Sequence, residues 1–560
     1  MDNFRKKTAN NRTNKGGTVE GFVSGGGSVN NGLNVNSKES DHHKTKEPIG
    51  RIGNFGTTEG FKSNKKSLSD QKPGVAQRRR PMRQDDGSVD LKMHDIDEHS
   101  SKYRKHKKHA NRHKGSRLKK ASVLFMLCII LFGGFTFGRV YLKAMQIFRG
   151  GGGAVALNEN VDPALLNGEG DGRINILMLG KGGEGHTAPD LTDTILVASI
   201  NPIQKEAAIV SVPRDLYVET EDGETSKINA VYANAKNYAL SNTSENDPSR
   251  DEKAEKAGLE AIEKKVSQVL GIPIHYHSIV DFEGFKKAID TVGGVSLNAP
   301  EEVYESMWLD GQNYTLNVQP GQQEFDGFRA LAYSRSRHSS ARGDFSRSER
   351  QRLILVALKD KVLSAGTLAN PLKLNQLMSD FGDHIKINMT VDEMMRLYEI
   401  GKDIPSDKIQ SIGLADPPND YVHTSNIGGA SVVVPKEGTF EYSAIQGFIR
   451  SKLVDGYLAN ENAEILILNG TDTPGLAGKT VKELESYGYN LLPAGDAPTK
   501  GYTETVIVDL KNGENKYTKR YLEKRFGTTT VPNLPDSTIQ SQTADFVIII
   551  GQNEVSRLQN

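Results

Sequence analysis

The chain of 560 residues is 36% hydrophobic and carries 71 Lys+Arg against 70 Asp+Glu; the length predicts two to four domains and excludes one small domain. Its net charge of +1 conceals a segregation, because residues 1–120 hold 28 Lys+Arg and 13 Asp+Glu, leaving 43 and 57 for residues 121–560. The single cysteine, Cys128, excludes a disulfide scaffold and a cysteine-based zinc site but leaves the compartment open.

Residues 1–120 are rich in Gly, Ser, Asn, Lys and Arg and lack the apolar periodicity needed to offset chain entropy, which predicts a disordered basic tail. Its basic runs, Arg78 to Arg80 and the stretch 102–120 with His106, His109 and His113 interleaved, have two readings, nucleic-acid binding or the flank of a membrane segment. The apolar run that follows favours the membrane, and no nucleic acid is expected. Residues 121–138, ASVLFMLCIILFGGFTFG, are uncharged, and the run continues past Arg139 to Leu142, which predicts a transmembrane helix over 121–142. Ten Lys+Arg lie within 102–120, against Arg139, Lys143 and Arg149 beyond the span, so the N-terminus is expected in the cytoplasm and the remainder outside the cell membrane. A cleaved signal peptide fits less well, because no small-x-small site directly follows the run.

A linker over 143–172, with a flexible joint from Arg149 to Gly153, leads into a first folded domain over 173–455. There the apolar runs 173–180, 192–200, 206–213 and 274–280 predict strands, and helical periodicity marks 251–270, 282–292, 324–334 and 346–365. The polar stretch 241–252 reads as an exposed loop. A second, small α/β domain is predicted over 463–555, with strands at 464–470, 505–510 and 545–551 and an amphipathic helix at 476–489. The expected fold class is α/β with a mixed sheet.

Three polar groups stand at the ends of these strands, where open α/β sheets hold their ligands. The loop 180–194, GKGGEGHTAPDLTDT, combines glycines with the oxygen ligands Glu184, Asp190, Asp193 and Thr194, suited to Mg²⁺ and phosphate. It lacks Walker A spacing and reads equally as a surface loop. In SVPRDLY, 211–217, the Arg214–Asp215 pair follows an apolar strand and is either functional or a structural ion pair. The segment 334–352 holds Arg335, Arg337, Arg342, Arg347, Arg350 and Arg352. That density within an acidic region points to a diphosphate rather than a solvated helix face, because the guanidinium fork binds phosphate oxygens in pairs. Carboxylates and arginines together suit metal-assisted phosphoryl transfer. His186 and His338 read as hydrogen-bonding residues rather than as bases.

These residues resemble the LytR-CpsA-Psr (LCP) family of bacterial cell-wall assembly. The likeness runs through INILMLG (174–180), TDTILVASI (192–200), VSVPRDLYV (210–218), SKINAVYA (226–233), GIPIHYHSIVDFEGFKKAIDTVGGV (271–295), LAYSRSRH and GDFSRSERQ (331–351). ILNGTDTPGLAGKTVKELESYGYNL and ADFVIIIG are similar to the LytR C-terminal domain. The resemblance implies a membrane-anchored, extracellular phosphotransferase that moves a glycan from a polyprenyl-pyrophosphate carrier to a peptidoglycan acceptor, with Mg²⁺ assistance and an apolar cavity for the prenyl chain. It implies a metal-associated role for Asp193, pyrophosphate contacts for Arg214, Arg335 and Arg337, and positions lining the same site for Arg347, Arg350 and Gln351. Asp215 is the candidate base. The chain departs from the family pattern in two ways: Lys181, Gly182 and Gly183 stand where a second acidic ligand is usual, and Leu191 replaces an arginine. Glu184 or Asp190 is therefore expected to complete the metal site. A wall-binding scaffold without turnover and a polyprenyl pyrophosphatase are the alternatives.

Overall fold

The computed structural model describes residues 151–337, 342–364, 381–382, 384–541 and 543–557. The predicted tail, the predicted membrane helix with Cys128, and His338 lie outside the described residues. Among the described residues no helix is long and apolar enough to cross a membrane.

The first domain is built on a six-stranded mixed sheet. Its centre comprises β1 (Ile174–Lys181), β2 (Thr192–Asn201) and β3 (Glu206–Ser211). Helices α1 (Ile228–Asn242) and α2 (Arg250–Leu270) follow, then β4 (Tyr276–Asp281) and α3 (Phe282–Thr291). Next come four strands outside the main sheet, β5 (Val295–Ala299), β6 (Val303–Leu309), β7 (Gln312–Val318) and β8 (Gly321–Phe325). Helices α4 (Gly327–Arg335) and α5 (Asp344–Leu363), strand β9 (Ile385–Ile387), helix α6 (Val391–Lys402) and strand β10 (Ile409–Gly413) follow, and Val422, Val433, Ile445 and Ile449 beyond them join the core.

The sheet order is β9-β4-β1-β2-β3-β10. β1 is antiparallel to β2 and parallel to β4, and β3 is antiparallel to β2 and parallel to β10. The central strands read as near-continuous apolar runs because both faces are covered. Leu177, Leu179, Val197 and Val210 pack with Val231 and Tyr232 of α1 and Ile262 and Val266 of α2, whereas Ile174, Ile176 and Tyr276 pack with Ile400 of α6.

Strand directions bring one set of chain ends to a single edge. Lys181 and Asp281 close β1 and β4 in register, and Gly180 faces Thr194 at the start of β2. The end of β3 leads to Pro213, Arg214 and Asp215 along the same edge.

Several expectations shift in the structure. Helix α1 was not anticipated, because only Ile228, Asn229, Val231, Tyr232 and Ala233 of its fifteen residues are buried, too short a run to establish a 3.6-residue period. The predicted loop 241–252 is present over 243–249, shortened by the end of α1 and the start of α2. The helix predicted over 324–334 begins only at Gly327, because Gly321–Phe325 pairs with β5 as a strand.

The second α/β unit contains β11 (Glu464–Asn469), α7 (Leu476–Tyr487), β12 (Val506–Asp509), α8 (Lys516–Phe526) and β13 (Phe546–Ile550). β13 is parallel to β11 and antiparallel to β12. The stretch read as an irregular linker contributes Val161 and Leu166 to the core of this unit, beside Tyr521, Leu522 and Phe526 of α8.

Candidate functional site

Arg214 is the centre of the polar cluster at the sheet edge. Its Nη1 donates to Asp193 Oδ1 at 3.0 Å and its Nε to Asp344 Oδ2 at 3.0 Å, with Asp215 Oδ2 at 3.3 Å from the same Nε. Burial would lower the guanidinium pKa, but the Asp193, Asp344 and Asp215 carboxylates raise it above its ordinary value. Asp193 Oδ1 also accepts from Asn229 Nδ2 at 3.0 Å. Asn229 and Asp344 were missed as site residues by sequence reasoning, although both lie inside the quoted motifs. Asp344 had one signal, its place among six arginines.

The arginine segment is sorted by its secondary structure. Arg335 ends α4 with its guanidinium 4.9 Å from the centre of the Phe282 ring, a cation–π arrangement. Arg337 Nη1 lies 3.9 Å from Asp344 Oδ1, and its backbone N–H donates to Glu305 Oε2 at 2.8 Å. Arg347, in the first turn of α5, donates to the Asp193 carbonyl at 3.3 Å and lies 3.4 Å from Asp344 Oδ1. Burial pushes the Arg347 guanidinium down to about 10, with Asp344 and Asp193 opposing that shift. Its Nε is buried without a hydrogen-bond partner. Such a buried cation gains from an added anion.

Two predicted diphosphate contacts take other positions. Arg350 is 1% exposed and turns to Glu301 and the Ser336 carbonyl, because its place on α5 faces Tyr333 of α4 rather than Arg214. The Gln351 amide donates to the Ser334 carbonyl at 3.2 Å. Arg352 is also internal, held by Ser211, Ser411 and Asp416.

The predicted metal carboxylates are not brought together. Asp190 is bound by Lys181 at 2.8 Å and Lys236 at 3.0 Å. Burial tends to raise its carboxyl pKa, but the two ammonium groups hold it below the usual range. The very residue that departs from the family pattern, Lys181, thus captures the carboxylate expected to compensate for it. Glu184 is exposed and lines a separate polar cleft with Gly182, Gly183, Glu255 and His384. Among the described residues no group of three or more His, Cys, Asp or Glu forms a metal cluster. Asp215, the candidate base, is gripped by Lys227 at 2.7 Å. Burial works to raise its pKa, yet Lys227 and Arg214 hold it low, making it a weak proton acceptor and a fixed counter-ion.

Next to the arginines opens an apolar cavity of about 230 Å³. Leu196, Val280, Phe285, Ile354, Leu355 and Leu358 are among its lining residues, and Arg335 and Gln351 also line it. Helix α5 explains the junction: its first turn carries Asp344 and Arg347 at the polar cluster, and two turns later Ile354, Leu355 and Leu358 face the cavity. An amphiphile with an anionic head and an apolar tail matches this order.

The LytR_cpsA_psr family model matches residues 151–439, the span that contains the sheet, the arginine cluster and the cavity. The chain belongs to the LytR-CpsA-Psr family. A model described as LytR cell envelope-related transcriptional attenuator matches residues 462–553. Similar proteins include the cell wall biosynthesis protein LcpA of Corynebacterium glutamicum, 29% identical over 338 residues, covering 57% of this chain and 62% of the relative. The polyisoprenyl-teichoic acid–peptidoglycan teichoic acid transferase TagV of Bacillus subtilis is 29% identical over 226 residues, covering 40% of this chain and 51% of the relative. This LCP chain therefore spans less than two thirds of the length of either. The crystal structure of B. subtilis TagV covers 50% of this chain and 97% of its own, at 24% identity and a TM-score of 0.38.

Proposed function

We propose that the protein is a phosphotransferase that moves a glycan from a polyprenyl-pyrophosphate carrier to peptidoglycan. One observation carries this reading: Arg335 lies at once in the arginine cluster and in the wall of the apolar cavity. A prenyl diphosphate is the carrier whose charge and tail follow that order, and the LCP relatives named as transferases act on polyisoprenyl-linked polymers.

In this reading Arg335, Arg337 and Arg347 clamp the diphosphate, and Arg214 stabilises charge on the transferring phosphoryl group. The acceptor hydroxyl oxygen forms a bond to the sugar-linked phosphorus while the phosphoanhydride bond breaks, releasing polyprenyl phosphate and passing the hydroxyl proton to a base. Asp215 fixes Arg214 rather than accepting that proton. Gln351 supports the wall of the tail cavity, and Arg350 braces the arginine segment from beneath.

Mg²⁺ commonly takes one or two carboxylates and completes its shell with phosphate oxygens and water. Asp193 and Asp344 fit that requirement, since Asp344 Oδ1 is buried and accepts no hydrogen bond. These two would hold the ion, in place of the expected set with Glu184 and Asp190, and it would supply neutralisation of diphosphate charge. The predicted span 121–142 and its basic flank support a single-pass membrane anchor with the catalytic domain outside the cell.

The test is incubation of the full chain with a labelled lipid-diphosphate glycan, with and without peptidoglycan. Acceptor-linked label is expected, while free phosphate alone indicates a pyrophosphatase and binding without turnover a scaffold. Arg214→Ala should lower transfer by at least about a hundredfold, a loss typical of removing one charge-stabilising donor, with the fold retained. Wild-type activity in that variant would sink the arginine clamp.

A further inference from the structure

Strands β6 and β7 form a hairpin with strict two-residue alternation. Val303 and Leu309 of β6 and Leu316 and Val318 of β7 are buried in a hydrophobic cluster with Phe325, Leu331 and Tyr333. The opposite face presents three cross-strand pairs, Tyr304 with Asn317, Ser306 with Thr315, and Trp308 with Asn313. Directly opposed residues share a face of a sheet, so these six form one surface. Tyr304 is 62% exposed and Trp308 64% exposed, and the Ser306 and Thr315 hydroxyls bond to each other at 2.8 Å.

The composition of this face selects among partners. None of its six side chains is charged, so it offers no cation for a phosphate backbone or an anionic lipid surface. It also lacks the Leu and Ile companions with which an interfacial element enters a bilayer. It offers two rigid aromatic planes separated by four residues, about 13 Å along a strand, interleaved with amides and hydroxyls. Aromatic planes cover the C–H faces of pyranose rings, and amides and hydroxyls pair with acetamido and hydroxyl groups.

We propose that this outer face is a docking platform for the acceptor, the neutral N-acetylated glycan backbone of peptidoglycan. The proposal rests on the transferase reading for the identity of that glycan. The hairpin is also coupled to the anion site from its inner side. Glu305, between Tyr304 and Ser306, accepts from Ser336 Oγ at 2.7 Å and from the Arg337 backbone N–H at 2.8 Å. The hairpin tip is held in turn by the ion pair of Asp310 with Lys286 of α3. A glycan strand lying on the outer face is thereby placed on the same rigid element that holds the diphosphate-binding segment.

Trp308 is the chain's one tryptophan, so its emission in the full chain reports on the platform directly. Titration with a tetramer of β-1,4-linked N-acetylglucosamine should change that emission saturably, and Tyr304→Ala should weaken the response about tenfold. Sedimentation with purified peptidoglycan sacculi should show about tenfold weaker retention of Trp308→Ala. Because both side chains are more than half exposed, the variants should keep the wild-type melting temperature. Emission that ignores the tetramer, or that responds only to phosphatidylglycerol vesicles, overturns the proposal, as does wild-type retention of Trp308→Ala. These readouts measure binding alone. A chain that transfers glycan normally but fails them loses the platform and keeps the transferase reading; a chain that passes them without transferring does the reverse.

Discussion

Asp190 shows how one residue type can be read correctly as chemistry and wrongly as a partner. A carboxylate in a Gly-rich loop suits a metal, yet Lys181 of the same loop and Lys236 of α1, 46 residues on, take both of its oxygens. The pairing has a measurable sign. A carboxyl held below its ordinary value near 4 contributes stability that is complete above that value and is lost as pH falls through the depressed one. The melting temperature of the wild-type chain should therefore fall more steeply between about pH 5 and pH 2 than that of Asp190→Asn. Parallel profiles would show that the lysines do not hold the charge. The arginines were legible as a density but not as individuals. Arg347 and Arg350 are three residues apart on one helix, yet one reaches the Asp193 carbonyl and the other Glu301. Which side of α5 faces the site depends on what packs against it.

At the scale of elements, the site depends on how closely α4 approaches α3. Gly327 opens α4, and a Cβ there would stand 2.2 Å from the Lys286 carbonyl oxygen in α3. Its backbone N–H also donates to Asp290 Oδ1 at 2.7 Å, tying the two helices at that point. Gly327→Ala should cost about 1–3 kcal/mol, the usual range for overpacking, seen as a lower urea midpoint. It should also raise the KM for the lipid-diphosphate donor, because Arg335 is carried on the same helix. An unchanged midpoint would mean that the contact relaxes freely. The elements missed from sequence share a cause. α8, KYTKRYLEKRF, is mostly charged and buries only Thr518, Tyr521, Leu522 and Phe526, and β6 and β7 each place only two residues in the buried core, although Asp310-Gly311 between them is a hairpin turn signal. Short apolar faces leave weak periodicity, whereas strands buried on both sides announce themselves.

At the scale of the whole molecule, one buried carboxylate stands where the two folded units join. Asp455 is 2% exposed and accepts from the Gly170 and Gly172 backbone at 2.9 and 2.8 Å, from the Tyr457 and Leu458 backbone, and from the Tyr521 hydroxyl at 3.0 Å. It thus fastens the segment before β1 to the start of the C-terminal unit and to α8. Arg525 reinforces the link through Glu169 at 2.7 Å. Asp455→Ala would strand these donors in the interior, and each buried unpaired group costs about 1–3 kcal/mol. The expected total is a loss of about 3–5 kcal/mol, comparable to breaking a buried ion pair. Limited proteolysis should then cut within 158–172, and retention of wild-type resistance would remove Asp455 from this role.

The sequence by itself determined the α/β class, the central strands, the family and the segment rich in arginine, because apolar runs and local charge density are written along the chain. It did not determine that Lys181 and Lys236 would claim Asp190, that Asp344 would join Asp193 at Arg214, or that Val161 and Leu166 would pack into the C-terminal core. Only the tertiary structure decided these. Each depends on which groups share one small volume, and there burial and charge pairing select partners that spacing along the chain does not encode.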